Sequence, residues 1–209
     1  VRISIVTLAL FLAAGAAGAE EEPVIQEKPL QFIERAPMLT VSGTFTEAFD
    51  AEMLAQLSSG FTTTVVLRMY LYKRGSEIVL WKSGATWRVV YDLWGEVYLI
   101  KAEDQSGERS FTAKTRADAL IRVTTMADLP VAPLAVVDPG VDYFIGVEVD
   151  VNPVSPELLG EVRRSMTRPS LGGASFFGGF VSIFLNTKIA EADRTLTFRS
   201  KAFYRARPQ

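Results

Sequence analysis

Residues Tyr143 to Asn152 read YFIGVEVDVN, and this stretch decides the fold class. Tyr143, Ile145, Val147, Val149 and Val151 alternate with Phe144, Gly146, Glu148, Asp150 and Asn152. A two-residue period of this kind belongs to a strand with one face against a core. The turn Asp138-Pro139-Gly140 stands just before it, as a strand start requires.

Working outward, the same period recurs. Phe61 to Lys73 places Val65, Leu67, Met69 and Leu71 on one face and Arg68, Tyr70 and Tyr72 on the other. The corner Arg74-Gly75-Ser76 returns the chain through Ile78, Val79, Leu80 and Trp81. Thr86 to Leu93 and Glu96 to Ala102 then make a hairpin around Trp94-Gly95. Leu39, Val41, Gly43 and Phe45 open the domain as a strand with a Thr-rich outer face. Arg194 to Arg205 close it with Leu196, Phe198, Ala202 and Tyr204 inward.

Helix signals are fewer. Asp50 caps a short helix to Ser58, stopped at Gly60. Lys114 to Met126 is the longer one, with Thr115 as cap and Asp118 three residues on. Its apolar stripe is Ala117, Leu120, Ile121 and Thr124, and Leu129-Pro130 ends it. Ser155-Pro156-Glu157 starts a third, with Leu158, Leu159, Val162 and Met166 on one face. About seven strands with two or three short helices predict a mainly β domain, an antiparallel β-sandwich or a strongly curved sheet.

The ends read differently. Val1 to Ala19 carries Arg2, an apolar run from Ile3 to Ala14, and small residues closing on Ala17-Gly18-Ala19. That is the order of a secretory signal cleaved near Ala19, so the expected location is exported, periplasmic or extracellular. Glu20 to Pro37 holds three prolines and five acids without a period and reads as a linker. Residues 38–209 form the expected single β-rich domain.

Of the 209 residues none is cysteine or histidine. No disulfide frame, thiol nucleophile, Ser-His-Asp triad or imidazole-bound metal is available. No lipid-bearing cysteine is present, so stability must come from burial. A formal net charge of -2 argues against a nucleic-acid binder. Charge is nonetheless uneven: residues 20–156 hold 12 basic and 20 acidic side chains, net -8, while residues 157–209 hold 9 and 4, net +5.

Three surfaces are candidates for interaction. Trp81, Trp87 and Trp94 cluster around the hairpins, and Trp94, on a turn, is the one expected to be exposed. Phe176, Phe177 and Phe180 lie in the Gly-rich segment 171–185, an apolar tongue able to enter a partner or a membrane interface. Arg199, Lys201 and Arg205 make the final strand basic, either to meet anionic headgroups or an acidic partner, or simply to offset the acidic body. Carboxylate chemistry would need Asp138, Asp142, Glu148 and Asp150, or Asp92 and Glu96, across a cleft. Glu148 and Asp150, as alternates on one strand, are more simply a solvated outer face. No S-x-x-K, calcium loop or phosphate-binding glycine motif accompanies them, and no cofactor is expected.

The order of features from Leu39 to Met166 resembles a bacterial exported family, domain of unknown function 4390, also labelled proline-rich signal peptide proteins. The matching elements are the Val41-Ser42-Gly43 strand, the helix ending at Gly60, and Val65 to Tyr72 followed by basic residues. They continue through Val89-Val90-Tyr91 turning into Tyr98-Leu99, Ala117-Asp118-Ala119-Leu120, Leu129-Pro130-Val131, and Gly140-x-x-Tyr143 running to Val151. Leu171 to Gln209 has no counterpart in that pattern. The resemblance implies an envelope location and a β-rich fold, and brings no activity with it. The expected function is therefore a non-enzymatic binding module for another envelope protein, with possible membrane-surface contact. An apolar-ligand or lipid carrier using residues 171–185 is the alternative, and a carboxylate-dependent hydrolase the remote one.

Overall fold

A computed structural model describes residues 25–154 and 192–206. Its strands are β1 (Gln26–Lys28), β2 (Gln31–Arg35), β3 (Met38–Thr44), β4 (Thr63–Lys73), β5 (Val79–Asp92), β6 (Val97–Asp104), β7 (Gly107–Ala113), β8 (Thr125–Pro133), β9 (Asp142–Val151), β10 (Arg194–Ser200) and β11 (Phe203–Tyr204). The helices are α1 (Ala51–Gln56) and α2 (Arg116–Thr124), with 3-10 turns at Thr46–Ala48 and Leu134–Val136.

The strands form two unequal sheets. The larger runs β1-β10-β9-β4-β5-β6-β7, with β11 also paired to β9; the smaller is β2-β3-β8. The protein is mainly β, a sandwich with almost every pairing antiparallel; β1 lies parallel to β10.

Register explains why the alternating runs assemble as they do. Val65 stands opposite Val151, Leu67 opposite Val149, Met69 opposite Val147 and Leu71 opposite Ile145. Four apolar pairs in sequence on one face fix the alignment, because a slip by one residue would turn all of them outward. All eight are buried. They join Leu39, Val41, Met126, Leu129 and Val131 of the smaller sheet in one core. Phe45 meets Trp87 there with ring centroids 5.8 Å apart.

Helix caps follow the sequence. The Asp50 side chain accepts from the backbone N–H groups of Glu52 and Met53, and Thr115 accepts from Asp118 at 3.1 Å. No helix among the described residues is long and apolar enough to cross a membrane.

Several expectations are corrected. Within the supposed linker 20–37, residues 26–28 and 31–35 are strands. The partner of the first is distant, Gln26 opposite Phe198, so no local period is needed to hold it; the second forms a local hairpin with β3, Phe32 opposite Val41. β7 was not anticipated: four of its seven residues in a row are exposed on both faces, and an edge strand of that kind has no alternation to read. β5 is one strand of 14 residues instead of two. α2 does not end in a loop at Leu129-Pro130 but passes directly into β8, where Thr40 stands opposite Pro130. Its inward residues are Ala119, Val123 and Thr124, whereas Ile121 is 59% exposed.

The closing strand breaks at Lys201-Ala202, so Ser200 and Phe198 point inward while Ala202 and Tyr204 do not. Phe203 takes over, stacking on Phe32 at 3.8 Å. The third helix and the Gly/Phe segment, with Phe176, Phe177 and Phe180, lie outside the described residues.

Candidate functional site

At one end of the larger sheet the β5–β6 hairpin turns through Leu93, Trp94, Gly95 and Glu96. Asp92 accepts a hydrogen bond from the Trp94 N–H at 3.0 Å, an Asx turn that closes the corner. Glu96 sits in the left-handed region with φ 51°. A Cβ on Gly95 would lie 2.6 Å from the Asp92 carboxylate, so the turn needs glycine there to keep its brace.

The segment joining α1 to β4 packs beside this hairpin. Gly60, at φ 83°, passes so close to Leu93 that a Cβ would fall 3.1 Å from its Cδ1. Ser58 and the Tyr98 hydroxyl are hydrogen-bonded at 2.8 Å, and Tyr98 lies 4.7 Å from the Tyr91 ring. On this braced base Trp94 is 97% exposed, Phe61 77% and Leu93 61%. Three large apolar side chains held out together by a rigid turn cost little conformational freedom when covered, and aromatic anchors of this kind dominate protein interfaces. The sequence singles out Trp94 by its turn, whereas Phe61 and Leu93 fall at the ends of alternating runs and carry no signal of exposure.

The basic residues of the last strand have structural partners. Arg199 pairs with Glu27 at 2.7 Å. Arg205 pairs with Glu34 at 3.0 Å and reaches the carbonyls of Leu134 and Val137. These contacts favour charge offset over a free basic face at Arg199 and Arg205. Lys201 is exposed, and its backbone N–H donates to the Lys28 carbonyl.

The carboxylates are corrected too. Asp150 is not on a solvated face; it is 1% exposed. Arg68 donates to it and to Glu148, the latter at 2.7 Å, and Thr195 donates to it at 2.6 Å. Burial pushes the Glu148 carboxyl above its usual range, with the Arg68 charge opposing and the Asp150 charge adding to the rise. Asp142 pairs with Arg74 at 3.4 Å, and Asp92 holds its turn. Among the described residues no three acidic side chains gather as a metal site would need.

An open groove of about 680 Å³, not foreseen from the sequence, runs between α2, β7 and β8. Phe111, Ile121, Ala113 and Leu129 give it apolar walls, and Arg109, Lys114 and Arg122 stand along it. Arg122 lies over the Phe111 ring at 5.1 Å, and Arg109 pairs with buried Asp104.

No curated protein and no solved structure matches the chain significantly. The model of one family, Domain of unknown function (DUF4390), matches residues 25–155, from β1 through the end of β9 and including the Trp94 hairpin. Well over half of the chain is covered, and the protein belongs to the DUF4390 family.

Proposed function

We propose that this protein is a non-enzymatic module of the bacterial envelope, exported by its leader, that binds another envelope protein through Phe61, Leu93 and Trp94. The carrying observation is the exposure of three large apolar side chains on one braced corner, nearly complete for Trp94. A monomer gains nothing from holding them in water. The engagement of Asp150 and Glu148 by Arg68 also favours binding over carboxylate catalysis, since neither acid is left to face an open cleft as a free pair.

The test is site-specific photocrosslinking in intact cells. A crosslinker at position 94 should give a discrete protein adduct, and Phe61→Ala should weaken it. No adduct from position 94, or equal labelling from exposed Glu108 on the far edge strand, would sink this reading.

The groove beside α2 favours a second reading, an apolar-ligand carrier, since its size lies in the range of small-molecule sites. Native mass spectrometry of the purified protein should then show a bound amphiphile that Ile121→Glu removes.

A further inference from the structure

The opposite end of the larger sheet has a different chemistry. Here the β4–β5 hairpin reads Lys73-Arg74-Gly75-Ser76-Glu77-Ile78. Gly75, at φ 80°, has nothing within 4 Å of its Cβ position, so that side of the tip faces open space, while the Arg74 N–H donates to the Asp142 carbonyl at its base. Ile78 is 72% exposed, and Leu80 and Trp81 follow it at 38% and 37%. A register shift between Leu71 and Tyr72 falls where β5 carries Leu80, with Tyr72 opposite Val79 and Leu71 opposite Trp81. The extra residue lets neighbouring apolar side chains present themselves together.

Cations surround this tip. Lys73, Lys82 and Lys201 have no carboxylate partner among the described residues. Arg74 holds Asp142 only at 3.4 Å with both side chains exposed, a pair worth little in water. Arg74, Ser76, Arg199 and Lys201 border a polar hollow of about 630 Å³ that Glu27 and Glu77 also line. The Trp94 end contrasts with this, carrying Asp92, Glu96, Asp50 and Asp193 beside Arg194 and Lys114.

We infer that the Lys73–Lys82 hairpin docks on an anionic lipid bilayer. Exposed aliphatic side chains and a tryptophan at a hairpin end, flanked by lysines with no carboxylate partner among the described residues, match the layered chemistry of the membrane interface. The apolar groups enter the acyl boundary, the indole sits at headgroup level, and the lysine stems lie along the apolar surface with their ammonium groups on phosphates. Each cation near an anionic surface adds about a fivefold factor in partitioning. A protein partner would be expected to cover these lysines with carboxylates on a fixed surface, whereas a bilayer needs only their density. The acidic end is repelled from the same surface, so docking turns Phe61, Leu93 and Trp94 away from the bilayer. This surface and the partner-binding corner share no residue, and either can be present without the other.

The test is flotation of the whole protein with phosphatidylglycerol–phosphatidylcholine vesicles against phosphatidylcholine alone. The protein should float only with the anionic vesicles, less so as salt is raised. The combined change Lys73→Gln, Lys82→Gln, Lys201→Gln should lower partitioning ~100-fold, three cations at the factor above. Ile78→Asp should also release the protein, and Trp94→Ala should leave flotation unchanged. All five positions are exposed or partly exposed, and thermal melts will verify that the variants fold. Equal flotation with neutral vesicles, no flotation with anionic ones, or a folded triple variant that partitions within twofold of the original overturns the inference.

Discussion

Arg68 on β4 and Asp150 on β9 form an ion pair in which both side chains are almost out of water, 7% and 2% exposed. The same guanidinium carries Glu148, which stands directly opposite on β9. Removing Arg68 leaves the Asp150 charge buried without its cation, which costs about 3–5 kcal/mol; removing Asp150 leaves Arg68 its pair with Glu148 and costs less. Arg68→Met should lower the unfolding free energy from urea titration by that order, and Asp150→Leu by less. The double variant should recover part of the Arg68→Met loss, because an apolar side chain at position 150 needs no partner while Glu148 still lacks its cation. A double variant whose loss equals the sum of the two singles would mean zero coupling between the residues and would overturn this account.

Two acids should impose opposite pH dependences. Glu148 has a raised carboxyl pKa, chiefly through burial, so the fold favours its protonated form. Stability from this group is greatest below the ordinary value of 4.5 and declines as pH rises through that value to the raised one. Glu148→Gln should therefore match the parent near pH 4 and be at least as stable at neutral pH. Glu47 is held low, first by its hydrogen bond with Lys28 at 2.7 Å. Its contribution is present above 4.5 and lost as pH falls through the lowered value, so Glu47→Gln should flatten the acid limb. Denaturant titrations across pH measure both signs.

Trp94→Ala and Gly95→Ala, one residue apart, should separate binding from folding. Trp94 is 97% exposed, so truncating it should change stability by less than ~0.5 kcal/mol while abolishing partner capture. A Cβ at position 95 meets Asp92 and should cost about 1–2 kcal/mol by opening the turn. Thermal melts beside crosslinking yields distinguish the two.

The inward face of α2 can be tested in the same way. Val123 is fully buried and Ile121 59% exposed. Val123→Ala should cost about 2 kcal/mol and Ile121→Ala almost nothing. Thr115→Ala should cost about 1 kcal/mol through the lost cap, with Thr115→Ser restoring it.

These tests fall where local pattern and long-range packing part company. β9 was legible because every second residue is apolar and the opposite strand matches it pair for pair. The caps at Asp50 and Thr115 were legible because their partners lie within three residues. Asp150 was not, since an acid at an alternate position looks solvated until Arg68, 82 residues away, is brought beside it. The α2 stripe was misplaced because Ile121 and Val123 are both apolar, and only β8 and the sheet beneath decide which faces in. Of the exposed corner, Trp94 was visible through its turn. Phe61 and Leu93 became part of it only when Gly60 brought the two loops together.

The parallel pairing of β1 with β10 sets a timetable for the chain. Gln26 emerges from the ribosome long before Phe198, its strand partner, and at ordinary synthesis rates of 5–20 residues per second the delay is about 10–30 s. Throughout that interval β1 has no neighbour, and once β9 (Asp142–Val151) has been made its open side is a bare edge, a template for unwanted pairing, until β10 arrives. The matched family region ends at residue 155, before β10 begins. A fragment cut there keeps the Trp94 corner but never receives the strand that seals its sheet, and aggregation is its expected fate.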